Sequence, residues 1–188
     1  SGKEPIMMIK NINEEKYIGG TGAIANHLSS FINKIDLYGM IGEKKENLNF
    51  IRGNLKKNII QNFYLKNKSP TILKKRYLDH VTNNKIIGFY TINDDVIKKN
   101  DEVKLINNIT KIINRNKINI ISDYGHGMIT ENVKKIINKN KNFTAINTQV
   151  NAANIATFNL TKYSNVDLVM INEKELRNEL RNTSESIY

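Results

Sequence analysis

Three stretches of the chain combine residue types and spacings that can do chemistry. The first is Tyr17-Ile-Gly-Gly-Thr-Gly-Ala-Ile-Ala-Asn26. Gly19, Gly20 and Gly22 permit positive φ and let a ligand come close to the main chain. The helix-compatible run that follows leads on into Phe31, so free N–H groups and a positive dipole end would face a hydroxyl, carboxylate or phosphate. Asn26 falls about one turn inside that helix, within reach of something held at the turn. The second is Asp123-Tyr-Gly-His-Gly127, directly after the apolar run Ile118-Asn-Ile-Ile-Ser122. Asp123 could accept hydrogen bonds from a sugar's hydroxyls, with Gly125 and Gly127 letting the backbone turn around it; it suits the N-cap of the next helix equally well. The third is Asn172-Glu-Lys-Glu175, whose outer members share one side of a helix's first turn. An amide and a carboxylate there could hold the water shell of Mg²⁺, or form an ordinary capping arrangement with Glu at N3.

Several motifs can be weighed against these stretches. Gly20-Thr-Gly22-Ala-Ile-Ala25 fits the dinucleotide fingerprint G-x-G-x-x-G/A, which should directly follow a buried strand. Asn13-Glu14-Glu15-Lys16 does not read as one, and no Gly-Lys-Ser/Thr follows to make a P-loop. A Rossmann-type NAD-binding domain and a helix that needs glycines only for packing remain alternatives. His27, His80 and His126 have no metal-ligand spacing, and no Ser-His-Asp arrangement can be inferred. His126, between two glycines, reads as solvent-facing or touching a bound phosphate rather than as a base.

The elements that must position these groups follow from hydrophobic pattern. Strands are expected over residues 4–10, 34–42, 59–65, 70–78, 86–92, 118–122, 143–147 and 166–171. The polar link Asp79-His-Val-Thr-Asn-Asn-Lys85 suggests a hairpin. Helices are expected over 46–57, over 101–114 with Val103, Leu105, Ile106, Ile109, Ile112 and Ile113 at helical spacing, from Thr130 through Ile137, and over 172–180. Alternating strands and helices argue for an α/β layer fold on a mostly parallel sheet. In such sheets ligands bind outside the carboxyl ends of strands, which is where Asp123, the cluster Asn147-Thr-Gln-Val-Asn151, and Asn172 fall. The strands near 4–10 and 70–92 break the rhythm and suggest a small separate sheet covering a site.

At 188 residues the chain can bury one substantial core. It has no cysteine, which excludes disulfides and thiolate metal sites and makes an intracellular protein the simpler assumption. No apolar run approaches membrane-spanning length and no signal-peptide core is present, so a soluble cytoplasmic protein is expected, with no membrane partner. The net charge of +11 invites nucleic acid or acidic ligands. However, the basic residues are spread along the whole chain, and abundant Lys, Asn and Ile is how an AT-rich genome drifts. A solvated basic surface is expected, and nucleic acid ranks last among the partners.

In order and spacing the clusters resemble the PfkB (ribokinase-like) carbohydrate kinases, in the branch formed by the kinase domain of bifunctional ADP-heptose synthases. Gly19, Gly20, Ala25 and Asn26 match the family's Gly-Gly…Ala-Asn motif. Lys3-Glu-Pro-Ile-Met-Met-Ile looks like that branch's Pro-Glu-Ala-Pro-Val-Pro-Val strand, and Pro70-Thr-Ile-Leu-Lys-Lys-Arg76 like its Thr-x-Lys-x-Arg lid strand. Ser122-Asp-Tyr-Gly-His-Gly127 is similar to Ser-Asp-Tyr-Gly-Lys-Gly with His126 in place of Lys, and Asn172-Glu-Lys-Glu175 to Asn-x-x-Glu.

The resemblance implies a ribokinase-like fold, a core α/β unit over 17–66 and 101–181, lid strands about 4–10 and 70–92 that often also form a dimer interface, and ATP with Mg²⁺. It further implies that Gly19, Gly20, Asn26 and Asp123 hold the sugar, that Lys75 or Arg76 meets a sugar phosphate, and that Asn172 and Glu175 position Mg²⁺ and phosphate. The branch phosphorylates D-glycero-β-D-manno-heptose 7-phosphate at its anomeric hydroxyl. Asn147-Thr-Gln-Val-Asn151 stands where that branch has Asp-Pro-Lys, so an unassigned sugar or sugar phosphate is an equal expectation. The family's opening strand ending in an acid and its Gly-x-Gly-Asp base motif are not found in 1–188, nor are the ATP-binding segments. The chain is therefore expected to be a partial kinase domain, inactive alone, with a non-catalytic sugar-binding module of the same fold as the alternative.

Overall fold

The computed structural model describes residues 8–149 and 160–182. They form an α/β protein with parallel sheets flanked by helices, as the alternating pattern predicts. In chain order the elements are α1 (Gly20–Leu28), β1 (Ile35–Gly42), α2 (Leu48–Gly53), β2 (Ile59–Lys66), β3 (Leu73–Leu78), β4 (Lys85–Thr91), α3 (Lys99–Arg115), β5 (Ile118–Asp123), α4 (Glu131–Lys139), β6 (Phe143–Thr148), β7 (Leu168–Met170) and α5 (Glu173–Leu180), with a 3₁₀ turn at Leu160–Lys162 before β7.

Pairing is parallel in two groups, β1–β2 and β5–β6–β7, while β3–β4 is an antiparallel hairpin. The parallel groups are joined through side chains rather than by a main-chain ladder. Tyr38 and Met40 of β1 and Tyr64 of β2 pack on the cluster formed by Leu105, Ile109, Ile113, Val133, Ile137 and Ile146. The Tyr64 hydroxyl donates to the Asp101 carbonyl at 2.8 Å, and Arg115 reaches Asp36 at 2.7 Å. Among the described residues the parallel strands thus fall into two ladders, with the hairpin as a third, separate sheet.

Local chemistry explains the main elements. In α3, Leu105, Ile109 and Ile113 recur every four residues and are buried. Each contributes roughly 1.5–3 kcal/mol on leaving water. Asp101 and Glu102 lie in its first turn and Arg115 in its last, matching the helix dipole. In α4 the Thr130 hydroxyl oxygen accepts from Val133 N at 3.2 Å, so Thr130, expected as the helix's first residue, is its N-cap. Strand β6 is the most deeply buried, with Thr144, Ala145, Ile146 and Thr148 all nearly inaccessible, as a central parallel strand requires. The Asp79 carboxylate accepts from Val81 N and Thr82 N, and Asn83 takes φ of 57°, closing the β3–β4 hairpin where the polar link predicts it.

Among the boundary differences, three stand out. Helix α1 starts within the glycines, at Gly20. Helix α2 covers six residues of the twelve expected over 46–57. Residues 8–19 carry no regular structure, so the described part of the strand expected over 4–10 is not a strand; its first residues lie outside the described part.

Candidate functional site

The glycine turn and the Asp123 loop come together. Gly20, with φ of 55°, lies under the Tyr124 ring: a Cβ there would sit 3.5 Å from Tyr124 Cε2. Gly19, the N-cap of α1, is extended, and a side chain placed there would meet nothing within 4 Å, so its main chain is open to a ligand. At Gly22 a Cβ would lie 2.5 Å from the Ile18 side chain, a packing demand for glycine. No strand precedes α1 among residues 8–19, so the dinucleotide fingerprint lacks its structural context.

Asp123 ends β5 and is buried, and it is not a helix cap. Its Oδ1 accepts from Gly125 N at 3.0 Å, and its Oδ2 from the Tyr163 hydroxyl at 2.5 Å. Burial, and then the Asp123 carboxylate beside it, push the Tyr163 phenol far above its ordinary range. Two of the roughly four lone-pair positions of the carboxylate are thus taken.

The loop after Asp123 is held from several sides. Gly125 and Gly127 have φ of 71° and 85°, and a Cβ on Gly127 would lie 2.1 Å from the Asp95 carbonyl oxygen. Ile97 N donates to the Gly127 carbonyl at 3.3 Å. Lys66, at the carboxyl end of β2, is buried and donates to the carbonyls of Asn93 at 2.6 Å and His126 at 3.3 Å. Burial lowers its ammonium's pKa, and the carboxylates of Asp95 and Asp94 partly offset this. His126 Nδ1 lies 2.6 Å from Asp94 Oδ1, and its ring stacks on Tyr124 at 6.3 Å. Beside Lys66 a cavity of about 190 Å³ is lined in part by Lys68, Asp95, Lys98 and Asp101.

Parallel register places the other groups on the same edge. Asp123 pairs with Thr148, and Asn147 with Met170, two residues before Asn172. Asn147 Nδ2 donates to the Met170 carbonyl at 2.8 Å, and Gln149 N to the Asp123 carbonyl at 3.0 Å; Val150 and Asn151 lie outside the described residues. Asn172 and Glu175 form a reciprocal capping box: Asn172 Oδ1 accepts from Glu175 N at 2.9 Å, and Glu175 Oε2 from Asn172 N at 3.3 Å. Among the described residues no three His, Asp or Glu side chains gather to hold a metal ion directly. Glu175 has a second carboxylate oxygen outside the capping box, while the single amide oxygen of Asn172 is engaged in it; such a pair could serve an ion that keeps its own waters.

The remaining predicted residues point elsewhere. Asn26 ties α1 to the segment after α2, its Nδ2 donating to the Asn54 carbonyl at 2.7 Å and its Oδ1 accepting from Lys56 N at 3.0 Å. On β3, Lys75 meets Glu14 at 3.3 Å and lies over the Tyr77 ring, while Arg76 lies over Tyr90. Lys75 thereby touches the segment leading into the glycine turn. Sequence reasoning passed over Lys66, Asp94 and Tyr163. For Lys66 a signal existed: it is in strand phase with Tyr64, which packs on the core. For Asp94 and Tyr163, remote in sequence from what they hold, none did.

Fold and site together describe an α/β protein whose polar clusters gather at the carboxyl ends of parallel strands. No family model matches the chain. It is similar to the Bifunctional protein HldE of a Nitratiruptor species, 23% identical over 133 residues, which is 71% of this chain and 28% of that protein. It is also similar to the Bifunctional protein HldE of Aliarcobacter butzleri, 26% identical over 132 residues, 69% of this chain and 27% of that protein. The alignments thus span little more than a quarter of the curated relatives' length. No helix among the described residues is long and apolar enough to cross a membrane.

Proposed function

We propose that this chain is the sugar-side part of a cytoplasmic carbohydrate kinase of the PfkB type, which transfers a phosphoryl group from ATP to a hydroxyl of a sugar or sugar phosphate. The observation that carries the reading is the seating of Tyr124 over Gly20, which brings the glycine turn and the Asp123 loop into one site. The resemblance to the kinase domain of bifunctional ADP-heptose synthases and the similarity to the bifunctional HldE proteins support it, and make a heptose 7-phosphate the first substrate to try. Gly19 and Gly20 would present main-chain N–H groups, and Asp123 would accept from sugar hydroxyls. Lys75 or Arg76 on the hairpin would meet a substrate phosphate. Asn172 and Glu175 would order the water shell of Mg²⁺, which when bound neutralises charge on the transferred phosphoryl group. The chemistry asks the protein for positioning and charge neutralisation above all. The exposed β3–β4 hairpin would serve as the lid and as the contact between two copies.

The test uses the intact gene product that carries this chain, with ATP, Mg²⁺ and a panel of heptose and hexose phosphates and free sugars. Consumption of ATP dependent on one of them is expected, together with a loss of kcat/KM of at least about tenfold in Asp123→Asn, the scale of one lost charge-assisted hydrogen bond. Sugar binding without ATP turnover would instead favour a non-catalytic binding module.

A further inference from the structure

We infer that Asp94 and His126 form a built hydroxyl-recognition pair, in which Asp94 fixes the imidazole tautomer and His126 Nε2 accepts a hydrogen bond from a hydroxyl of a polyhydroxylated ligand. This rests on the kinase reading for the ligand's class but assigns a recognition residue that the reading leaves unused. An ionised carboxylate can only accept. Asp94 Oδ1 at 2.6 Å from Nδ1 therefore places the proton of the neutral ring on Nδ1 and makes Nε2 the acceptor. The side chain of His126 is mostly buried, but its Nε2 makes no hydrogen bond among the described residues and is not sealed from solvent.

The ring's position is fixed from several directions. Tyr124, whose ring covers Gly20, stacks against it at an interplanar angle of 15°. The buried Lys66 ammonium holds the His126 carbonyl, and Gly125 and Gly127 supply the positive φ on either side. The arrangement matches that of a ligand-orienting histidine, in which a carboxylate on one ring nitrogen sets what the other can do. Asp94 acts through His126 and is a positioning residue.

The test again uses the intact protein. Long-range ¹H–¹⁵N spectra of the imidazoles should show His126 protonated on Nδ1 in the free protein. Adding a hexose or heptose phosphate that the protein binds should shift Nε2. In Asp94→Asn, which no longer demands a donor, the Nδ1 tautomer should lose its dominance. His126→Gln should raise KM by roughly three- to tenfold, the scale of one hydrogen bond. One monodeoxy analogue of the probe should bind wild type and His126→Gln equally, identifying the hydroxyl by a double-mutant cycle. Urea melts on each variant establish that it is folded.

If the wild type binds or phosphorylates a sugar while Nε2 does not respond, or no deoxy analogue removes the effect of His126→Gln, the pair is a structural brace and this inference falls alone. A wild type that binds none of the sugars overturns this inference together with the kinase reading.

Discussion

At the scale of single residues, the site is made of groups whose neighbours leave them little choice. Gly42 ends β1, and a Cβ there would lie 2.2 Å from Thr71 N and 2.3 Å from Pro70 C, main-chain atoms that cannot swing aside. Gly42→Ala should therefore cost about 1–3 kcal/mol or more in urea unfolding. Gly53→Ala, where a Cβ meets nothing within 4 Å, should be neutral or slightly stabilising. Tyr163 is a second case. Its phenol's folded-state pKa is raised above the ordinary value of about 10, by burial first and by Asp123 second. The unfolded chain therefore ionises first, so the stability from the neutral phenol is complete below about pH 10 and is lost as pH rises past it. Tyr163→Phe should be less stable than wild type near neutrality by about 1.5–3 kcal/mol, because Asp123 loses its donor. It should also lose stability less steeply between about pH 9 and pH 11, which parallel denaturant titrations would show.

At the scale of elements, helix starts have structural and functional readings that variants can separate. The capping box of α5 realises the structural reading of Asn172 and Glu175, which still lie at the carboxyl-end edge of the sheet beside Met170. Asn172→Ala should lower stability by about 1 kcal/mol through the lost cap. Glu175→Gln can keep the box, since Gln serves at N3 as Glu does, and should cost under about 1 kcal/mol, the scale of its charge at the helix N-terminus. If Glu175 also orders the water shell of Mg²⁺, this variant should raise the Mg²⁺ concentration for half-maximal ATP turnover while its unfolding midpoint barely moves. An unchanged Mg²⁺ requirement would reduce Asn172 and Glu175 to a cap. Helix α2 illustrates how tertiary context overrides pattern. Leu48, Ile51 and Leu55 have helical spacing, but the helix ends at Gly53, and Asn26 takes the Asn54 carbonyl and Lys56 N that a longer helix would have used internally.

At the scale of the whole molecule, the β3–β4 hairpin stands out as a sheet without a cover. Every residue of β4 is exposed, including Phe89 and Tyr90, each more than half accessible. Two-stranded hairpins are marginal alone, and the proposed contact between two copies would bury this face. Phe89→Lys should then shift the intact protein toward monomer in sedimentation velocity, leaving the unfolding of the α/β part unchanged. A monomeric wild type would remove the dimer from the proposal.

The sequence by itself determined the alternation of strands and helices, the Asn172 cap, the hairpin at Asp79 and the three polar clusters after strand ends. Each is a local property: side-chain period, cap chemistry and turn preference act over a few residues. The tertiary structure decided what those clusters touch. It set Tyr124 over Gly20, gave Asp123 to Tyr163, turned Asn26 toward Asn54 and Lys56, buried Lys66 between two loops and brought Asp94 to His126. Those contacts join segments far apart in the chain, and packing of the strands and helices, which no local pattern encodes, selects which partners meet.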